Sequence, residues 1–341
     1  MQEKIESVFI IAEAGVNHNG QLDLALRLCE AAKDAGVDAI KFQTWKTKNI
    51  VTKSASLATY QKKNISKKKE SQFEMLEKLE LSYDSFAKIK EYCDKIGIVF
   101  LSTPDDEESL NFLVDMGIGL IKIGSGDVTN IPYIRKIANK KMPVVLSTGM
   151  SYLRNVERAY NILTSEGASE ITLLHCTTNY PCPMSEVNLN AMLTLKEAFK
   201  CQVGYSDHTL GIEVPIAAVA LGAKIIEKHI TLDKSMEGPD HKASIDPTEL
   251  KEMVIAIRNI ENAMGDGIKR PNLSEQQIEK VVKKKIVASR QIKQGEIFSD
   301  ENITVKRSDE GLSAEFWDLI CGLKVNRNYE EDESINFQND L

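Results

Sequence analysis

Short apolar runs alternate with helix-spaced stretches along most of this chain. Residues 8–12 (VFIIA) form a β-rich run that ends in Glu13. Residues 21–35 then place Leu22, Leu24, Ala25, Leu28, Ala31 and Ala32 on one face and stop at Gly36, which predicts an amphipathic helix. Further strands are predicted at 37–42, 98–101, 120–123, 144–146, 171–174, 202–204 and from Lys224. Helices are predicted at 83–95, 105–116, 131–139, 156–165, 187–199, 212–221 and 247–264. The beat lapses only between Thr44 and Gln72, a polar stretch with Lys62, Lys63 and Lys67 to Lys69. A connection of that length in a compact domain usually serves as a functional lid or is mobile, although a lysine run by itself is more often a solvated face.

Eight strands, each preceding a helix, predict a TIM (β/α)8 barrel over residues 1–268. A doubly wound open sheet is the main competitor. It usually has fewer strands and opens with a glycine-rich dinucleotide turn, whereas the first loop here reads EAGVNHNG. Residues 269–285 read as a polar, charged linker, and 286–341 as a small separate domain of short strands and turns.

Composition narrows the function classes. A net charge of −7 argues against non-specific nucleic-acid binding. No apolar run approaches the roughly 18 to 20 residues that span a bilayer, and the N-terminus lacks a signal-peptide pattern, so no membrane role is expected. Six cysteines lie scattered without a CxxC pair, as in a cytoplasmic protein with reduced thiols.

Barrel chemistry sits where strands end. The candidates are Glu13; Lys41 and Gln43; Ser102 and Thr103; Lys122 and Ser125; Ser147 and Thr148; His175, Thr177 and Thr178; Ser206, Asp207 and His208; and His229. His208 and His229 close consecutive parallel strands, so they should stand side by side, near enough to share a metal ion; either could equally be a structural histidine. Lys41 and Lys122 among hydroxyls suit an anionic ligand, since ammoniums neutralise charge and hydroxyls orient oxygens. Alone, each would read as a solvated lysine. Glu13 could be a general base, orient a substrate hydroxyl, or be held structurally by a neighbouring lysine.

The motifs IAEAGVNHNG, IKFQT, LSTP, IKIGSGD, LSTGM, LLHCTTNYP, GYSDHT, IEKHIT and GPDHKAS, in this order, resemble the sialic acid synthase family. The tail, QIKQGEIFSDENITVKR, resembles that family's antifreeze-like (SAF) domain. The resemblance implies an enzyme that condenses phosphoenolpyruvate with an N-acyl mannosamine-type aldose and water, giving a nine-carbon keto sugar acid and phosphate. It implies a divalent metal, Mn²⁺ or Mg²⁺, on His208 and His229. Lys41, Thr103, Lys122, Ser125, Ser147, Thr178 and Ser206 match positions that hold phosphoenolpyruvate, and Gln43, Tyr180, Asp240 and Glu13 match positions around the sugar. Arg307 matches an arginine that enters the partner's active site in a domain-swapped homodimer.

Glu13 is the first candidate for proton transfer and Asp127 the second. Asp127 stands where many sialic acid synthases carry Glu, and an Asn that some of them use on the sugar should fall near Lys67. HCTTNYP and ESQFEMLEKLEL look closer to the bacterial legionaminate-type synthases, whose acceptor is a 2,4-diacetamido-2,4,6-trideoxymannose. The rival readings are a synthase of seven- or eight-carbon keto acids on the same barrel, and a sugar- or ice-binding protein. The appended domain and GPDHKAS argue against the first, and the polar strand ends against the second.

Overall fold

Strands β1 (Phe9–Gly15), β2 (Ala39–Thr44), β3 (Val99–Pro104), β4 (Ile121–Ile123), β5 (Val144–Ser147), β6 (Ile171–His175), β7 (Gln202–Asp207) and β8 (Ile225–His229) build one parallel sheet. Their order is β3-β2-β1-β8-β7-β6-β5-β4, and β3 packs beside β4, so the sheet rolls up into the expected (β/α)8 barrel. The computed structural model describes residues 7–58, 61 and 71–336, so the lysine-rich stretch and the position near Lys67 lie outside the described residues. The chain divides between Gly265 and Asp266 into two units. No described helix is long and apolar enough to cross a membrane.

The barrel has two apolar layers because its strands are buried on both faces. Inside, Ile11, Ala39, Leu101, Val145, Leu174 and Ile225 plug the lower half. Outside, Ile10, Ile40, Phe100, Ile121, Leu146 and Ile226 meet the helical ring in the larger core. Gly204 belongs to this packing. A Cβ there would stand 2.3 Å from the Ile225 carbonyl oxygen and 2.7 Å from Leu174 Cδ2, so β7 can lie this close to β8 only without a side chain.

Every strand was expected where it occurs, but most run further at their C-terminal ends than the apolar runs do. β1 continues through Glu13 to Gly15, β2 to Thr44, β3 to Pro104 and β7 to Asp207. The backbone ladder continues although the side chains have turned polar. The helix expected from Asp105 begins instead at Glu107 and runs to Asp115, because Asp106 is its cap: Ser109 N donates to Asp106 Oδ1 at 3.0 Å. Asp105 is thereby left at the end of β3.

The second unit pairs β9 (Lys284–Ala288) with β10 (Ile303–Arg307) in antiparallel fashion around Ile286, Ile292, Phe298, Val325, Tyr329 and Ile335. The stretch expected as a linker carries a helix, Leu273–Val282, whose N-terminus is closed by an Asn272–Glu275 capping box.

One buried charge pair braces the barrel wall rather than its interior. Lys228 Nζ lies 2.5 Å from Asp207 Oδ2 and also donates to the Thr209 carbonyl, with both charged side chains wholly buried. Thr209 donates to the same carboxylate through N and Oγ1, at 3.1 and 2.9 Å. We expect Lys228→Met to cost about 3–5 kcal/mol, because it strands a buried carboxylate. The double variant Asp207→Asn/Lys228→Met should regain a large part of that loss. Urea titrations of the three proteins check both expectations.

Candidate active site

At the C-terminal mouth of the barrel the inward-facing positions change from apolar to ionisable. The period-two alternation of a strand carries Ile11 to Glu13, Ala39 to Lys41 and Gln43, Val145 to Ser147, and Ile225 to Glu227 and His229. The register then fixes neighbours. Glu13 is level with Lys41 on one side and His229 on the other, and Ser206 is level with Glu227.

These groups line a cavity of about 180 Å³. Its floor is a four-charge network. Lys41 Nζ lies 2.5 Å from Glu13 Oε2, 3.1 Å from Thr103 Oγ1 and 3.7 Å from Glu227 Oε2. Lys122 Nζ donates to Ser147 Oγ at 2.8 Å and lies 3.5 Å from Glu227 Oε1, which also accepts from Ser206 Oγ at 3.0 Å. Glu227 thus sits between both lysines. Burial alone would raise its pKa, but Lys122 and Lys41 outweigh burial and hold it down to about 2. Glu13 goes the other way: burial pushes it up to about 8 against the pull of Lys41, with Glu227 adding repulsion. Burial works against both ammoniums: at Lys41 the Glu13 and Glu227 carboxylates outweigh it and raise the pKa, while at Lys122 it prevails over Glu227 and lowers the pKa.

The histidines stand above. The His208 and His229 rings lie 5.4 Å apart between centroids. His208 Nδ1 is 2.7 Å from the Thr177 carbonyl oxygen, which can only accept, so Nδ1 carries the proton and Nε2 keeps its lone pair. Burial keeps both imidazoles neutral, and the proximity of His208 lowers His229 further. His229 Nδ1 is buried without a hydrogen-bond partner, 4.0 Å from Asp240 Oδ2. Tyr180, ahead of a cis peptide to Pro181, lays its ring 4.1 Å from that of His208. Two neutral imidazoles with a carboxylate in reach are a donor set that suits a divalent cation. Among the described residues there is no ready cluster of three His, Cys, Asp or Glu ligands, so solvent or substrate oxygens would complete the shell.

Of the residues expected at the site, Gln43, Ser125 and Thr178 also line this cavity. Gln43 Nε2 is 3.5 Å from Glu13 Oε1, and Ser125 Oγ accepts from Gly149 N at 3.0 Å. Gly149 leaves that contact room, since a Cβ there would stand 2.2 Å from Thr178 Oγ1. Asp127 lies just beyond the lining and accepts from Asn130 Nδ2 at 2.8 Å. Asp240 is buried behind His229, and its carboxyl is pushed up to about 7 by that burial. Arg307 belongs to the second unit, exposed at the end of β10.

Five lining residues were not expected: Asp105, Gly124, Gly126, Cys176 and Glu227. Cys176 and Glu227 lie two positions before Thr178 and His229, and Asp105 lies two positions beyond Thr103, so the strand alternation would have found these three, while Gly124 and Gly126 flank Ser125. A roomier cavity of about 670 Å³ opens among the strand starts, beside Phe9, Leu120 and Pro143, without such a set of polar groups.

Comparison with known proteins agrees with the fold. The profile of the NeuB family matches residues 28–269, and that of the SAF domain matches residues 284–339. The chain is 51% identical to an N,N'-diacetyllegionaminic acid synthase of Campylobacter jejuni, over 97% of this chain and 99% of that protein. It is 44% identical to a synthase of the same name from Legionella pneumophila, over 94% and 91%. Among solved structures, the N-acetylneuraminic acid synthetase of Leptospira borgpetersenii, crystallised with citrate, superposes with a TM-score of 0.70 at 37% identity, covering 80% of this chain and 90% of that one. The chain belongs to the NeuB family, with a SAF domain following its barrel.

Proposed function

We propose that the protein is a nonulosonic acid synthase that joins phosphoenolpyruvate to an N-acyl mannosamine-type sugar. The acceptor favoured is 2,4-diacetamido-2,4,6-trideoxymannose, giving N,N'-diacetyllegionaminic acid; N-acetylmannosamine is the alternative. The observation that carries the reading is the buried floor, where Lys41 and Lys122 converge with Thr103, Ser147 and Ser206 on one small cavity. A doubly charged phosphate and a carboxylate fit such a floor, and the 51% identity to a legionaminic acid synthase supports the choice of acceptor.

In this reading the reaction balances as follows. Carbon 3 of phosphoenolpyruvate bonds to the aldehyde carbon of the open-chain sugar, and the carbonyl pair moves to the aldehyde oxygen, which takes up a proton. Water adds at carbon 2 and gives up a proton; the hydroxyl so formed gives up its own proton as the carbon 2 carbonyl re-forms, and the bond from carbon 2 to the phosphate oxygen breaks, its pair leaving with phosphate. His208 and His229 would hold a divalent cation, Mn²⁺ or Mg²⁺, which would supply Lewis acidity there. Glu13 is the proton-transfer group: its ladder neighbour is His229, and burial places its pKa within range of neutrality. Lys41 and Lys122 hold the anion throughout, and Glu227 keeps both ammoniums in place between substrates. Gln43, Tyr180 and Asp240 face the sugar, with Asp127 beyond them. Arg307 reaches the partner's mouth in a domain-swapped homodimer. The described cysteines are all unpaired, which supports a cytoplasmic setting.

The direct test is the mass of the product from phosphoenolpyruvate and a panel of 2-acetamido mannose derivatives. Legionaminate-type product with the 2,4-diacetamido sugar is expected, turnover stopping with a chelator and returning with Mn²⁺ or Mg²⁺. Release of no phosphate with any panel member would sink the proposal.

Lys122→Met should raise the phosphoenolpyruvate KM far more than the sugar KM, through a loss of about 2–5 kcal/mol for one desolvated charge contact. An unchanged phosphoenolpyruvate KM would remove Lys122 from the anion site. For Arg307, subunits carrying Arg307→Ala mixed with subunits carrying Lys122→Met should recover activity, because one mouth of each mixed dimer then has both residues intact. Subunit exchange without recovery would show that Arg307 does not act across the dimer.

A further inference from the structure

The cavity floor is cationic, but one wall is not. Asp105 follows β3 directly and lies two positions beyond Thr103, on the same inward face. Its backbone N donates to the Thr44 carbonyl at 3.0 Å, so the end of β2 fixes its position. Its half-buried carboxylate makes no hydrogen bond and no ion pair among the described residues. Burial and then the repulsion of Asp127 push its carboxyl up to about 7. A carboxylate held in a cavity without donors is a costly arrangement unless something else supplies them.

Asp105 also lines a second cavity of about 630 Å³ beside Asp106, Glu107 and Glu108, and is the one residue common to both linings. The inner cavity, at about 180 Å³, is small for phosphoenolpyruvate and an aminosugar together. The larger space next to Asp105 gives the second substrate room, on a side where oxygen acceptors outnumber cations.

Resting on the synthase reading above, we propose that Asp105 is a specificity residue for the acceptor sugar. Its carboxylate accepts hydrogen bonds from the sugar's O–H or N–H groups, and with the acidic groups beside it rejects a phosphorylated sugar. The site then sorts its two substrates by charge: the anion goes to the Lys41–Lys122 floor and a neutral polyhydroxy amide to the Asp105 wall. Neither substrate is at home in the other's place.

The experiment compares N-acetylmannosamine with its 6-phosphate, alongside the neutral 2,4-diacetamido sugar, in the wild-type enzyme and in Asp105→Asn and Asp105→Glu. Asp105→Asn should lower kcat/KM for the neutral sugars by about tenfold or more while leaving the phosphoenolpyruvate KM in place. Its preference for the neutral over the phosphorylated sugar should shrink by at least about tenfold, the scale of one charge contact in a partly solvated site. Asp105→Glu keeps the charge and should keep the preference. An unchanged preference in Asp105→Asn, with unfolding midpoints equal to wild type, overturns the inference and leaves the synthase reading standing. A wild type inactive with phosphoenolpyruvate and every sugar overturns both.

Discussion

Everything at the barrel mouth depends on burying two lysines and two glutamates together. Each charge alone would be costly to bury. Together they are tolerable because Glu227 lies within 3.7 Å of Lys41 and 3.5 Å of Lys122, and Glu13 closes the set against Lys41. The strand register enforces these distances. Lys41 and His229 flank Glu13 at the same height on β2 and β8, so the compensation is built by the sheet and not by flexible loops. That rigidity keeps the lysines converged before any ligand arrives, the preorganisation that electrostatic stabilisation requires.

The two glutamates are chemically alike and electrostatically opposite. Glu227 sees both lysines and a serine hydroxyl, which against burial hold its pKa down to about 2. Glu13 sees one lysine at close range while Glu227 repels it, so burial decides and the pKa rises to about 8. One carboxylate is therefore a fixed counter-charge and the other can exchange a proton near neutrality. Environments that push two like groups apart are the usual basis for assigning acid–base roles.

The barrel was legible because alternating strands and helices follow from burial alone: β-rich runs closed by polar ends, helices closed by Gly36, Gly97 and Gly167 in left-handed caps. Strand ends were less legible. An apolar run stops where the barrel core stops, but the hydrogen-bond ladder continues through Glu13, Gln43, Thr103 and Ser206, whose polar side chains face the site. Glu227 was missed for that reason: in IIEKH the eye takes the terminal histidine, while the pleat puts Glu227 on the same face. Asp105 was missed for a different one. Two adjacent aspartates precede the helix, only the second caps it, and nothing local distinguishes them before Ser109 is seen to bond Asp106. The adjacency of His208 and His229 was readable as two neighbouring strand ends. The tautomer of His208, which leaves Nε2 available, depends on the Thr177 carbonyl, thirty-one residues away in sequence, and no local pattern encodes it.

Charge changes along the ends of β2, β3 and β4, which are neighbours in the barrel. Toward β2 and β4 the groups are Lys41, Lys122 and their hydroxyl partners; at the end of β3 and past β4 they are Asp105 and Asp127. The histidine pair on β7 and β8 stands over the floor, with Tyr180 against both rings. An anion entering such a mouth is drawn past the acidic wall to the floor, where two cations and three hydroxyls outweigh the remaining negative charge. Once there, it adds its own charge and makes the floor unattractive to a second anion. A neutral sugar feels no such bias and is held only by short-range hydrogen bonds at the wall and by whatever the histidine pair supports. The order that follows from electrostatics alone is anion first and sugar second.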